Sequence, residues 1–89
     1  MLRISAINSP SQAVTLRLEG QIVGRWVKEL KQSCEELKAN GQGLVLDLVG
    51  VSFIDTDGLA LLGSLTTGKV LLINASPFIS ELLKGAGLW

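Results

Sequence analysis

The chain has 89 residues, 47% hydrophobic and 18% charged, which suits one domain and leaves no room for a second core. Eight Lys and Arg balance eight Asp and Glu, so no net field draws phosphate backbones or anionic lipid; with few aromatics and no Tyr, nucleic-acid binding is set aside. Histidine is absent and Cys34 is the only cysteine, which removes the commonest metal ligand, the commonest general base at neutral pH and any intrachain disulfide.

A lone thiol suits a reducing compartment. The N-terminus lacks the basic-then-apolar pattern of a secretory leader, and no run approaches ~18 uninterrupted apolar residues. The expectation is a cytoplasmic domain spanning residues 1–89, without membrane insertion.

In chain order, Leu2 to Ile7 reads as a short edge strand and Asn8-Ser9-Pro10-Ser11 as the turn that follows it. From Ala13 to Leu18 the pattern alternates: Val14, Leu16 and Leu18 face one way, Thr15, Arg17 and Glu19 the other, as in a half-buried strand. Gly20 is expected to end it. From Gly24 the period changes, with Val23, Trp26, Val27, Leu30, Cys34 and Leu37 recurring at three- and four-residue steps among charged neighbours. That spacing predicts an amphipathic helix, stopped at Asn40-Gly41.

Leu44-Val45-Leu46-Asp47-Leu48 is a near-continuous apolar run, which predicts a central strand covered on both faces, followed by a short loop. A second helix is expected from Thr56 or Asp57 to just before Gly68, then a buried strand over Lys69 to Ile73. Ser76-Pro77 opens a third helix, with Ser as the cap and Pro in the first helical position. Phe78, Ile79, Leu82, Leu83 and Ala86 form its expected apolar face. Strands alternating with helices imply parallel pairing. Gly41-Gln42-Gly43 neither follows a strand nor opens a helix, so it reads as a turn and not as a nucleotide fingerprint.

The run Val45-Leu46-Asp47-Leu48-Val49-Gly50-Val51-Ser52-Phe53-Ile54-Asp55-Thr56-Asp57-Gly58-Leu59-Ala60-Leu61-Leu62 resembles the signature of the STAS family. Leu18-Glu19-Gly20 and Asn74-Ala75-Ser76-Pro77 resemble the family at matching places. The resemblance implies an α/β fold, a small mixed sheet of about four strands with three helices packed mainly on one face. It also implies a non-enzymatic protein-interaction module like the bacterial anti-sigma factor antagonists, whose partner is an anti-sigma factor that is itself a kinase. By the same resemblance Thr56 matches the phosphorylatable hydroxyl, Asp55 the acid before it, and Gly58 and Leu59 the helix start. The implied contact surface comprises Asp55, Thr56, Asp57, Gly58, Leu59 and Leu62. Because the run from Asp55 to Leu62 is also similar to that of a small subunit of phospholipid-transport ABC complexes, the alternative is an accessory subunit working without phosphorylation.

Residue by residue, simpler readings stand beside these. Thr56 can be the helix N-cap as well as a phosphoacceptor. Asp55 and Asp57 can complement the helix N-terminus, or orient a kinase or hold a Mg²⁺. Asp47 could approach the same sheet end, yet three carboxylates with no histidine, nucleophile or phosphate cradle beside them are a feeble catalytic set, so no enzyme, cofactor or metal is expected. Cys34 and Trp26 read as core. Trp89 is left between packing and interface.

Overall fold

The computed structural model describes residues 1–8, 13–41 and 43–89; the expected turn at residues 9–11 and Gln42 of the second turn lie outside the described residues. Seven elements follow one another: β1 (Leu2–Asn8), β2 (Ala13–Ile22), α1 (Arg25–Ala39), β3 (Gly43–Ile54), α2 (Thr56–Thr67), β4 (Leu71–Ile73) and α3 (Pro77–Gly85). The strands lie in the order β1-β2-β3-β4, with β1 antiparallel to β2 and the other pairs parallel. This is the mixed α/β sheet with three helices that the sequence implies.

Residues paired across neighbouring strands share a face of the sheet. Val14 with Leu44, and Leu16 with Leu46 and Leu72, line the face that receives the helices; Leu18, Leu48, Ile22 and Ile54 complete that layer. The helices close over it with Leu30 and Cys34 of α1, Leu61, Leu62 and Leu65 of α2, and Ile79 and Leu83 of α3. Burial pushes the Cys34 thiol up to about 11, so it stays protonated and behaves as an apolar core group. Trp26 packs partly buried against the same core, with the Arg25 guanidinium 4.7 Å from its ring centroid. Trp89 is exposed.

The opposite face carries the rows Ile7–Thr15–Val45–Leu71 and Ser5–Arg17–Asp47–Ile73, and it stays largely open. The expectation that β3 is covered on both faces is therefore corrected. The apolar run at Leu44–Leu48 reflects one covered face plus Val45 and a buried Asp47 on the other. Asp47 accepts hydrogen bonds from the Val49 N–H (3.0 Å) and Asn74 Nδ2 (3.2 Å), and Arg17 Nε lies 3.9 Å from its other oxygen. Its partners come from β2, β3 and the loop after β4, so it ties the sheet together.

Strand bounds differ from expectation in three places. β2 does not stop at Gly20 but continues to Ile22, held by the Gln21 N–H on the Met1 carbonyl (3.0 Å). β3 does not break into a loop after Leu48; it runs to Ile54 beside β2, with register shifts between Arg17 and Glu19 and between Gly20 and Gln21 that each take one extra residue of β3. Such bulges bend a strand and re-aim its end. The last strand is not buried: β4 is three residues long at the sheet edge, and Leu71 is 62% exposed because only one of its faces is covered. In α3, Ser76 caps as expected, its Oγ accepting the Ile79 N–H at 3.2 Å, but Phe78 and Ala86 face out and only Ile79, Leu83 and part of Leu82 enter the core. Among the described residues no helix is long and apolar enough to cross a membrane.

Candidate functional site

β2 and β3 end side by side at the paired residues Ile22 and Ile54, and a helix begins just beyond each. The first turns of α1 and α2 therefore open at one edge of the sheet, outside the carboxyl ends of the parallel strands, where open α/β sheets place their binding sites. The Asp55 N–H extends the pairing by one more bond to the Ile22 carbonyl (3.1 Å).

Asp55, in extended conformation, is the N-cap of α2, and this corrects the reading of Thr56 as the cap. One carboxylate oxygen accepts the Gly58 N–H at 2.7 Å, satisfying an orphan donor of the first turn. The other accepts the Gly24 N–H at 2.9 Å. Gly24 is the residue before α1, takes φ 53°, and has no side chain to cap that helix. A single carboxylate thus fastens the start of α1 to the start of α2. The Gly24 N–H, then the Gly58 N–H, hold this carboxyl below its ordinary value, against a smaller opposing effect of burial.

Gly58 is buried against the end of the sheet. A Cβ there would stand 2.7 Å from the Ile22 carbonyl oxygen and 2.8 Å from Ile54 Cγ2, one of them rigid backbone. Gly58→Ala is expected to push the first turn of α2 off the sheet and to lower stability by about 1–3 kcal/mol, read as the midpoint of chemical unfolding. Leu62 is wholly buried and Leu59 half-buried. Gly58 and Leu62, both in the contact set expected from sequence, are thus buried in this structure. They lie on the inward side of the helix, one helical turn apart, and their role is to seat it.

Thr56 and Asp57 occupy the first two positions of α2 and are exposed. The Thr56 hydroxyl has no hydrogen-bond partner among the described residues, and Asp57 has no ion-pair partner there. Asp47 does not join them, being locked into the sheet by Arg17 and Asn74. Among the described residues no group of three or more Cys, Asp or Glu is arranged to hold a metal ion.

Two features at this edge escaped the sequence reading. Phe53, two residues before the cap, stacks on Phe78 with centroids 6.3 Å apart and planes at 23°, and the two residues are 40% and 54% exposed. Apolar type alone assigns Phe78 to the helix core; its place right after Pro77, where α3 has barely reached the sheet, is the sign that it flanks the edge instead. The second is Gly24. A helix that opens without Ser, Thr, Asp or Asn at its cap is one whose cap comes from elsewhere in the chain. Beside Thr56, a groove of about 300 Å³ runs between α1 and α2, lined by Val27, Lys28 and Lys31 on one wall and Asp57, Ala60, Leu61 and Ser64 on the other.

The family model described as "Mlab, STAS domain" matches residues 5–88. Among solved structures, the chain is similar to the anti-sigma factor antagonist SpoIIAA in its unphosphorylated form, at 19% identity and TM-score 0.71, covering 92% of this chain and 82% of that one. It is also similar to a protein of the DUF3478 family with a SpoIIAA-like fold from Shewanella loihica PV-4, at 11% identity and TM-score 0.61, covering 86% of this chain and 69% of that one. At these identities the structural likeness speaks for the fold alone. Comparison with curated protein sequences finds no match.

Proposed function

We propose that this chain, which belongs to the STAS domain family, is a non-enzymatic interaction module that docks a regulatory protein at the exposed start of α2 and releases it when Thr56 is phosphorylated. The observation that carries this reading is the division of labour between neighbours. Asp55 already caps the helix, so the Thr56 hydroxyl is left exposed and without a structural duty. Phosphorylation adds about −1.5 to −2 charges. At the first position of a helix that charge meets the positive end of the dipole and free backbone N–H groups, so the fold tolerates it. A partner seated on the same surface has to bury it, and binding weakens.

A second reading is favoured by one observation: acids stand on both sides of Thr56, Asp55 before it and the exposed Asp57 after it. Two carboxylates oppose a further anion. On this reading the surface is a constitutive contact, that of an accessory subunit in a phospholipid transport complex of the ABC type, and Thr56 is never modified.

The two readings separate in one experiment. Wild type, Thr56→Ala and Thr56→Glu serve as bait in extract of the source cell with ATP, followed by intact-mass analysis of the bait and identification of what it holds. The switch predicts a single phosphate adduct on wild type and none on Thr56→Ala, with the partner lost at least about ten-fold on Thr56→Glu. A partner held equally by all three baits, with no adduct, overturns the switch and leaves the constitutive contact. Thr56→Ala is expected to unfold with wild-type stability, because the cap belongs to Asp55.

A further inference from the structure

The groove between α1 and α2 begins at Asp57, next to Thr56, and the chemistry of its walls restricts what can lie in it. Its floor is apolar, made by Val27, Ala60 and Leu61. Both walls are helices, whose backbone groups are bonded internally along the groove. An extended segment would find no strand edge to pair with and would leave its own N–H and C=O groups against that floor, where an unpaired polar group is costly. A segment that satisfies its own backbone meets no such cost, and that segment is a helix.

Charge on the two walls is unequal. The α1 wall presents Lys28 and Lys31 three residues apart, one turn along the same side. Lys28 has no ion pair among the described residues, and Lys31 has only Glu35 at 4.0 Å, with both side chains exposed and the pair worth little. The α2 wall carries a single charge, Asp57, at its very start; beyond it, Ala60 and Ser64 are small enough for another backbone to come close. An occupant is thus drawn to α1 by acids and can lie tight on α2 with none.

We infer that the groove seats one amphipathic helix of the protein partner, its apolar stripe on Val27, Ala60 and Leu61 and its acidic flank along Lys28 and Lys31. The inference rests on the reading that this domain docks a protein at the start of α2. It also supplies a reason for the switch: a phosphate on Thr56, beside Asp57, would stand at the mouth of a groove whose occupant is already negative.

Two designed helical peptides test it, identical along an apolar Leu/Ala stripe, one with Glu and the other with Lys along the flank that would meet α1. Amide chemical shifts of the labelled domain are followed as each is added, at low and at physiological salt. The acidic peptide is expected to move the amides of Val27, Lys28, Ala60, Leu61 and Ser64 and to bind at least about ten-fold more tightly than the basic one. The double substitution Lys28→Glu with Lys31→Glu is expected to abolish that preference while circular dichroism shows an intact fold. Equal binding of the two peptides, or shifts confined to another surface such as the Phe53–Phe78 edge, would overturn the groove assignment. That failure is distinct from failure of the docking reading, which is decided by whether Thr56→Glu releases the natural partner: a partner lost on Thr56→Glu but indifferent to both lysine substitutions keeps the first and sinks the second.

Discussion

Leu62→Ala is expected to cost about 2–5 kcal/mol of folding stability and to weaken partner binding only in proportion to the protein it unfolds. The side chain is 0% exposed, at the centre of the face that α2 turns to the sheet. Truncation removes its transfer free energy and leaves a cavity in a close-packed core that relaxes only partly around it. Against a total stability of about 5–10 kcal/mol for a domain of this size, the loss is large. Urea unfolding gives the stability, and binding measured at a temperature where both variants remain folded gives the affinity. An affinity drop of more than about three-fold in the folded variant would overturn that expectation, because Leu62 would then act on binding itself, by direct contact or by holding α2 in place.

The contrast between Leu62 and its neighbours shows what could be read from the chain. The element order was legible because each element writes its own period. Val14, Leu16 and Leu18 alternate, the α1 stripe recurs at three and four, and Ser76-Pro77 marks a helix start by local chemistry alone. Local rules failed where a distant residue decides the outcome. Gly50 and Ser52 look like loop formers, yet they lie in β3 because β2 runs alongside: Gly50 pairs with Glu19, and Ser52, the extra residue at the shift between Gly20 and Gln21, donates its Oγ–H to the Gly20 carbonyl at 3.2 Å. The same holds for the open face of the sheet. Ile7, Leu71 and Ile73 are apolar enough for a core, but all three helices are spent on the other side.

The site was half legible for the same reason. An acid, a hydroxyl and another acid in succession all suit a helix start, and side-chain type does not rank Asp55 above Thr56 as the cap. The tie is broken by Gly24, 31 residues earlier in the chain, whose N–H takes the second carboxylate oxygen. Only the pairing of Ile22 with Ile54 brings the two together. What the sequence assigns to the hydroxyl as a structural duty belongs to the acid before it, and that exchange is what leaves Thr56 available.

Asp55→Ala is therefore expected to do damage at two helices at once. It removes the cap of α2, worth about 0.5–2 kcal/mol in other helices, and frees the Gly24 N–H that holds the start of α1. With the ionised carboxylate strengthening each bond, the loss should total about 2–3 kcal/mol near neutral pH, or about 10–20 °C in Tm for a chain of this length. The pH dependence identifies the cause. The folded carboxyl titrates below its ordinary value of 3.8, so the folded state holds its proton less firmly than the unfolded chain does. The stabilisation from Asp55 is then fully present above that ordinary value and is lost as pH falls through the lower, folded one. Wild type and Asp55→Ala should accordingly differ most at pH 5–7 and converge as pH falls below about 4, while Asp55→Asn, able to cap but not to carry charge, should sit between them at neutral pH, with wild type falling toward it in acid. A gap between wild type and Asp55→Ala that stays constant from pH 7 to pH 3 would mean that a neutral side chain serves equally well, and the carboxylate clasp between the two helices would have to be abandoned.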